Sequence, residues 1–301
     1  MKKAMFILNP SSGKEKASDY REQVIFTLES MGYTVDTRAT EKQGDATHFA
    51  REAAEQQYDF VVAMGGDGTI NEAVSGLAEQ PHQPLFSLIP LGTVNDFARA
   101  LGISLDPPEA IKALKKGTEK WVDIAKVGKQ YFMNILALGQ IAESTYEVSP
   151  EQKTRLGALA YFIEGVKAIT SDAEEYFTVE HDHGYWEGDA KLVLVALTNS
   201  VGGFEKLAPE ALTDDGLLHV YIVKNAALPA FVRIAGAMLI GKLEKDPAVE
   251  VIHTTKVSIG TNEPMFCNID GDEGCATPFE IEVLPRHIRA LVPPDKKELE
   301  A

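Results

Sequence analysis

The stretch Gly65-Gly66-Asp67-Gly68-Thr69-Ile70-Asn71-Glu72 decides the fold of this chain. Its glycines stand between an apolar run, Asp59 to Met64, and a pattern of helical spacing that begins at Ile70. Glycines leave backbone N–H groups open to a ligand, and the N-terminus of a helix favours anions. Because Asp67 would repel a bare phosphate, the stretch predicts a nucleotide whose phosphates carry a metal ion.

A second stretch, Gly92-Thr93-Val94-Asn95-Asp96, repeats the order glycine, threonine, aliphatic residue, asparagine, acid. It also follows an apolar run, from Leu85 to Pro90. We therefore expect two strand–turn–helix units that bring the same chemistry to one crevice. Thr69 and Glu72 also match the T-x-x-E capping box, which predicts that they cap the N-terminus of their own helix.

The chain divides by pattern into two predicted domains. Residues 1–125 alternate continuous apolar strands with amphipathic helices, which predicts an α/β nucleotide-binding domain with a parallel sheet and helices on both faces. Strand-like segments dominate residues 126–285, which predicts a β-rich antiparallel sandwich or barrel. Helical spacing interrupts it at 152–169 and 229–243, and residues 286–301 can join the first domain.

The charge and the cysteines limit the partners of the protein. A formal net charge of -16 argues against nucleic acid as a partner and against a polybasic membrane anchor. The most apolar later stretch, Ile234 to Ile240, is far shorter than the roughly 20 residues of a membrane span, so we expect a cytoplasmic protein. Cys267 and Cys275 are not accompanied by the further His and Cys residues that a zinc site needs, so we expect both to be free thiols.

The loop Asn9-Pro10-Ser11-Ser12-Gly13-Lys14 follows the first predicted strand. Ligands of parallel sheets bind at the carboxyl ends of the strands, where a lysine can neutralise phosphate oxygens. The loop is not a Walker P-loop, because Glu15 follows the lysine in place of Ser or Thr. An ordinary capped loop with Lys14 in solvent remains the alternative.

Two acidic turns lie in the second predicted domain. The first, 268–274, contains Asp270, Asp272 and Glu273, more carboxylates than a hairpin turn requires, and one of them could accept a proton. The second, 212–217, combines carboxylates with backbone carbonyls, which suits Mg²⁺ or Ca²⁺. Plain turns between strands remain the alternative for both.

Taken together, these residues resemble the diacylglycerol kinase catalytic-domain family, which comprises bacterial soluble lipid kinases related to sphingosine kinases. The resemblance covers nearly the whole chain. Its motifs are N-P-S-S-G-K at Asn9 to Lys14, G-G-D-G-T-I-N-E at Gly65 to Glu72, P-L-G-T-V-N-D-F-A-R at Pro90 to Arg99, T-N-S-V-G-G-F-E-K-L-A-P at Thr198 to Pro209, D-D-G-L at Asp214 to Leu217, and N-I-D-G-D at Asn268 to Asp272.

The resemblance implies that ATP phosphorylates a lipid hydroxyl, in the first place that of diacylglycerol, in a cleft between the domains. The residues implied to hold ATP are Asn9, Pro10, Ser11, Ser12, Gly13, Thr40, Gly66, Asp67, Gly68, Thr69, Ile70, Asn71, Glu72 and Thr93. Asp67 and Asp96 are implied to serve the Mg²⁺–ATP and substrate end of the cleft, with Lys14 nearby.

The resemblance also implies a proton acceptor and a structural metal ion. Asp272 aligns with the family's proton acceptor, which is commonly a glutamate, and Glu273 stands beside it as a possible substitute. A structural Mg²⁺ is implied at the carboxylate of Asp215 and the backbone carbonyls of Leu212 and Leu217.

Other implications concern partners and alternatives. Close relatives carry a lysine where Glu164 stands, and Lys167 lies on nearly the same helical face. The expected partner is a lipid substrate at a membrane surface, through peripheral contact, and a homodimer is possible. Two alternatives stay open: an NAD kinase, which shares G-G-D-G-T, and a catalytically idle regulator that binds a nucleotide or a lipid.

Overall fold

The structure, a computed structural model, describes most of the chain in two units. The described residues are 1–13, 17–139, 175–200, 202–203, 208, 210–224, 233–234, 236–237 and 240–294. One unit comprises Met1–Val122 together with the segment from Arg286 onward, and the other comprises Asp123–Pro285.

The first unit alternates strands and helices. Its elements are β1 (Lys2–Leu8), α1 (Ala17–Ser30), β2 (Tyr33–Ala39), α2 (Asp45–Glu55), β3 (Phe60–Gly65), α3 (Asp67–Leu77), β4 (Leu85–Pro90), α4 (Asp96–Ala100) and α5 (Pro107–Ala113). No helix among the described residues is long and apolar enough to cross a membrane.

The strands of this unit form a parallel sheet in the order β2-β1-β3-β4, and the end of β15 (Phe279–Val292) extends it beside β4. Every residue of β3 and β4 is buried, as continuous apolar strands require when both faces of a sheet are covered. Right-handed crossovers place α1 on one face and α2 and α3 on the other. The predicted α/β domain is confirmed.

The order of the strands reverses between β1 and β3. The chain leaves β1 toward β2 on one side and later adds β3 on the other side of β1. Such a reversal is a topological switch point, where the loops after the two strands separate and leave a crevice. The loop from Asn9 and the turn from Gly65 both begin at this point.

Antiparallel strands build the second unit. They are β5 (Thr118–Val127), β6 (Gln130–Phe132), β7 (Ile135–Gly139), β8 (Glu175–His181), β9 (Gly184–Ala196), β10 (Leu218–Lys224), β11 (Val249–Thr254), β12 (Lys256–Thr261), β13 (Phe266–Ile269), β14 (Asp272–Ala276) and the start of β15. A short 3₁₀ helix covers Leu243–Lys245. The sheet runs β14-β13-β7-β9-β8-β12-β15, with β10 also on β9 and β11 on β10. The predicted β-rich antiparallel domain is confirmed.

Alternation along β9 separates two apolar clusters. Val193 and Val195 belong to the larger cluster, whereas Leu192 and Leu194 belong to a second cluster on the opposite face of the strand. Successive side chains of a strand point to opposite faces, so one strand contributes to both clusters.

Some predicted elements differ from the observed ones. The strand-like segment at 130–138 is divided at Met133 and Asn134, whose backbone N–H groups donate to a side chain described below. The segment 249–259 is likewise divided at Thr255, where the Asp182 carboxylate accepts bonds from the backbone N–H and the hydroxyl. Helix α5 was not predicted. The predicted helix at 152–169 and much of the one at 229–243 lie outside the described residues.

Candidate active site

The turns that follow β3 and β4 lie against each other in the first unit. A Cβ added to Gly92 would lie 2.9 Å from Cα of Gly66, so the two backbones can approach this closely only because residue 92 has no side chain. The amide of Leu91 donates to the carbonyl of Gly65 at 2.8 Å. The structure therefore brings the two glycine motifs into one crevice.

Asp67 joins the two turns through its carboxylate. Oδ2 accepts from the backbone N–H of Asn95 at 2.8 Å, and Oδ1 accepts from that of Asp96 at 2.9 Å. Burial has the largest effect on the pKa of Asp67 and raises it, against the opposing effect of these amide hydrogen bonds. Asp67 thus holds the second motif in place as well as facing the ligand edge of the sheet.

Asn95 stabilises the second turn, a role that the sequence interpretation missed. Its Oδ1 accepts from the N–H of Gly92 at 2.8 Å, and its Nδ2 donates to the carbonyl of Gly92 at 2.9 Å. The residue is buried and has φ of 57°, in the left-handed region that asparagine tolerates better than most residues. The signal available in the sequence was the asparagine at the end of a glycine turn.

The capping-box prediction is wrong. Helix α3 begins at Asp67, so Thr69 already lies within the helix, and among the described residues no side chain caps the helix. The carboxylate of Glu72 instead accepts from the N–H groups of Gly44 at 2.9 Å and Ala46 at 3.2 Å, at the N-terminus of α2. An acidic side chain at that position offsets the positive end of the neighbouring helix.

The loop after β1 is tied to the same helix. Asn9 donates from Nδ2 to Oγ1 of Thr69 at 2.8 Å, and its Oδ1 accepts from the N–H of Ser11 at 3.0 Å. Gly13 has φ of 64° and packs against Leu91, while Pro10 and Ser11 are exposed and Ser12 is half-buried. Lys14, the predicted phosphate ligand, lies outside the described residues.

The remaining predicted ATP residues differ in exposure. Gly68 and Thr93 are exposed, and no atom lies within 4 Å of a Cβ added to Gly68. Thr40 lies beside the end of β1, since its N–H donates to the carbonyl of Leu8 at 2.9 Å. Asn71 is half-buried, and Ile70 is buried in the core, so Ile70 has only its backbone to offer a ligand.

In the second unit, Asp270 and Gly271 form the two-residue turn between β13 and β14. Their φ angles, 49° and 100°, are typical of a type I′ hairpin turn. The Asp270 carboxylate accepts from the N–H groups of Met133 at 2.8 Å, Asn134 at 3.1 Å and Ile135 at 2.9 Å. Asp270 therefore holds the acidic hairpin to the start of β7, a role that the sequence interpretation did not assign.

The two candidate proton acceptors point to opposite faces of this hairpin. Asp272 pairs with Ile269, whose side chain lies in the larger apolar cluster. Glu273 pairs with Asn268, which in turn pairs with Ala137, a residue packed on the other cluster. Directly opposed residues share a face and successive residues do not, so the register separates the exposed carboxylates of Asp272 and Glu273.

The predicted metal loop is closed by Asp215. Its Oδ1 accepts from the N–H of Leu217 at 2.9 Å, and its Oδ2 accepts from that of Leu212 at 2.9 Å. Nε2 of the buried His219 lies 3.0 Å from the same Oδ2. Burial acts to raise the pKa of Asp215, but the hydrogen bonds from His219 and the two amides lower it overall.

Oxygen ligands for a hard cation are present at this loop. Oδ1 of Asp215 accepts one hydrogen bond and keeps a lone pair, and Asp123 lies near, with its Oδ2 accepting from the N–H of Gly216 at 2.7 Å. Within the described part of the chain, no group of three or more His, Cys, Asp or Glu side chains could hold a metal ion. A site here would therefore depend on backbone carbonyls, as the family resemblance implies.

Glycine turns at a switch point of a parallel sheet, followed by a β-rich unit with an acidic hairpin, define a class of nucleotide-dependent phosphotransferases. The family model described as the diacylglycerol kinase catalytic domain matches residues 3–127. A second model, described as the YegS C-terminal NAD kinase beta sandwich-like domain, matches residues 139–292.

Individual relatives agree with these matches. The diacylglycerol kinase of Bacillus subtilis (strain 168) is 42% identical over 299 residues, which cover 99% of each chain. That of Staphylococcus carnosus (strain TM300) is 38% identical over 99% of this chain and 98% of its own. A crystal structure of a diacylglycerol kinase from Bacillus anthracis str. Sterne has a TM-score of 0.85 and 29% identity, and covers 97% of this chain and 98% of that one. This chain belongs to the diacylglycerol kinase family and is a lipid kinase.

Proposed function

We propose that this chain transfers the γ-phosphoryl group of ATP to the free hydroxyl of diacylglycerol, forming phosphatidate and ADP. The observation that carries the proposal is the 42% identity over 99% of both chains with a protein named for that lipid. In the reaction the hydroxyl oxygen bonds to the γ-phosphorus, the bond from phosphorus to the bridging β-γ oxygen breaks, and the hydroxyl proton passes to a carboxylate.

The geometry of the first unit supports ATP as the donor. The first N–H groups of α3 have no carbonyl partner earlier in that helix, and the exposed Gly68 leaves space around its backbone for a ligand. The loop from Asn9 to Gly13 lies at the same switch point and is tied to Thr69. Backbone amides there would hold the phosphate oxygens, and Asp67 would keep the two turns at a fixed spacing.

Magnesium is the divalent ion that we propose for this reaction. When bound with ATP it supplies positive charge that neutralises the phosphate oxygens. Asp96 lies at the turn that Asp67 holds, and its carboxylate is the group that we assign to the ion that accompanies ATP. Asp215, with the carbonyls of Leu212 and Leu217, is the set that we assign to a separate structural ion.

Asp272 is the residue that we propose as proton acceptor. It stands two residues after Asp270, whose three amide hydrogen bonds fix the hairpin, and its own side chain is exposed. Glu273 faces the other side of the hairpin. Its side chain is longer than that of Asp272, but it does not point in the same direction.

We also propose that catalysis takes place at a membrane surface, because diacylglycerol resides in the bilayer. The net charge of -16 favours neutral over anionic vesicles. Co-sedimentation with phosphatidylcholine vesicles that contain diacylglycerol, compared with vesicles that lack it, measures this contact. Equal recovery with both would contradict recognition of the substrate at the surface.

A panel of acceptors tests the reaction. Labelled ATP with Mg²⁺ is incubated with mixed micelles of diacylglycerol, monoacylglycerol or sphingosine, and separately with NAD, and each product is identified by mass. We expect phosphatidate to form fastest, and the Asp272→Asn protein serves as the inactive control. Faster phosphorylation of NAD would identify an NAD kinase, and tight Mg²⁺–ATP binding without any product would identify a nucleotide-binding regulator.

A further inference from the structure

The two cysteines of the chain lie against each other in the acidic hairpin. Phe266 pairs with Ala276 and Asn268 pairs with Glu273, which leaves one residue on β13 opposite two on β14. Cys267 therefore faces a bulge formed by Gly274 and Cys275. Cys275 packs against the apolar cluster that contains Cys267, and its thiol is the neighbouring group that interacts with the Cys267 thiol.

The surroundings of the pair favour this contact. A Cβ added to Gly274 would lie 2.5 Å from Sγ of Cys267, so only a glycine lets that sulfur rest against β14. Opposed residues of antiparallel strands have Cα atoms about 4.5–5.5 Å apart, which falls inside the range of roughly 4.4–6.8 Å seen for disulfides. Because Cys267 lies opposite a two-residue bulge, a bond between the two sulfurs requires that bulge to adjust while the neighbouring pairs of the two strands stay in register.

We propose that Cys267 and Cys275 form an oxidation site at which a peroxide produces a disulfide that lowers the kinase activity. One thiol attacks the peroxide, which cleaves the O–O bond and yields a sulfenic acid and water. The second thiol then attacks the sulfenic sulfur, an S–S bond forms, and the hydroxyl leaves with the thiol proton as water. Each disulfide consumes one peroxide, which takes up the two electrons.

The two cysteines have different roles in this oxidation. Cys275 is half-buried and open to a small oxidant, whereas Cys267 is fully buried in the larger apolar cluster. Burial, and then the neighbouring Cys275, raise the pKa of Cys267, so its thiol stays protonated at neutral pH. Cys275 therefore reacts first, and Cys267 resolves the sulfenic acid.

The disulfide would act on the hairpin that carries the proposed proton acceptor. Cys275 and Asp272 share β14, a strand of five residues, with the bulge between them. Drawing the sulfurs to about 2.05 Å adjusts the backbone of the bulge, and this adjustment displaces Asp272 at the other end of the short strand. This consequence rests on the proposed function, because it requires Asp272 to take part in turnover. The chemistry of the thiols does not depend on it.

The experiment treats the full-length protein with hydrogen peroxide and measures mass and turnover separately. Intact mass should fall by two hydrogens, and peptide mapping should recover a linked peptide that contains Cys267 and Cys275. Turnover on diacylglycerol micelles should fall by on the order of tenfold or more, because displacement of a catalytic group by about 1 Å can cost 10²-fold. Dithiothreitol should restore both the intact mass and the turnover.

The variants Cys275→Ser and Cys275→Ala provide the matched controls. Both should keep the starting turnover, form no linked peptide and resist peroxide, and agreement between them guards against a folding defect in either. Consumption of both thiols without a linked peptide would overturn the proposal. So would a linked peptide with unchanged turnover, or equal inactivation of the variants. A linked peptide in a protein that phosphorylates no lipid would support the oxidation site and count against the proposed function.

Discussion

Replacing Asp272 by Asn tests the proposed proton acceptor with little risk to the fold. The side chain is exposed, and none of the described residues forms a hydrogen bond with its carboxylate. Surface substitutions of this kind usually change the free energy of unfolding by less than about 0.5 kcal/mol. A loss of turnover in this variant therefore reports on chemistry.

The size of that loss follows from the role of a general base. Removing one typically lowers the rate by about 10²–10⁴-fold, or roughly 2.7–5.4 kcal/mol of activation free energy at about 1.36 kcal/mol per factor of ten. We expect Asp272→Asn to fall in this range. Glu273→Gln should change turnover by less than about tenfold, because the pairing with Asn268 turns its side chain to the other face.

The assay combines initial rates on diacylglycerol micelles at saturating Mg²⁺–ATP with a direct titration of nucleotide binding. Nucleotide affinity should be the same in both variants, and so should the urea midpoint of unfolding. If Glu273→Gln were inactive and Asp272→Asn nearly normal, the assignment would be reversed. If both lost turnover equally, the separation of the two faces by the strand register would be refuted.

Three further predictions concern carboxylates whose partners the structure identifies. Glu72→Ala should lower the free energy of unfolding by about 0.5–2 kcal/mol in urea titrations, because it removes the side-chain acceptor of two N–H groups at the start of α2. Asp270→Asn should reduce turnover on diacylglycerol at unchanged nucleotide affinity, whereas Asp182→Asn, at a carboxylate that also accepts three hydrogen bonds, should only destabilise. Hydrogen bonding from Arg233 is the largest cause that holds the pKa of Asp246 below its usual 3.8, so the stability it contributes is present above that pH and is lost below it. Asp246→Asn should accordingly lower the urea midpoint near neutral pH and have little effect at about pH 2.

Each of these predictions can fail in a distinct way. An unchanged urea midpoint in Glu72→Ala, with nucleotide binding lost, would assign that carboxylate to the ligand and not to the helix. Equal loss of turnover in Asp270→Asn and Asp182→Asn would mean that general destabilisation explains both. A shift of the midpoint in Asp246→Asn that is as large in acid as at neutral pH would contradict the pKa argument.

The sequence was sufficient for elements that depend on local patterns. Continuous apolar runs identified β3 and β4, and the glycine motifs after them indicated the crevice, because buried strands and open turns follow from residue type alone. The partner of Glu72 could not be found in this way. The role of Glu72 as an acceptor depends on how closely α2 packs on α3. The spacing of residues along one helix gives no information about the distance between two helices.

The same limit applies to the acidic hairpin. The Asp-Gly dipeptide predicted a turn, but the three amides that Asp270 binds are more than 130 residues away in the chain. The bulge opposite Cys267 arises from pairing between strands, so single-strand alternation cannot reveal it. Side chains that tie distant segments together, such as Asp270, were therefore the ones that the sequence interpretation left without a role.

The end of β15 has a consequence for the order in which the protein can be made. Ala290 pairs with Phe86 of β4, and the carbonyl of Leu291 accepts from the hydroxyl of Ser87 at 3.1 Å. The ribosome synthesises β4 some 200 residues before this strand, so β4 stays an open edge until the end of β15 has emerged. Folding during translation cannot simply complete the nucleotide unit first, and a nascent chain halted before residue 286 would expose that edge to aggregation.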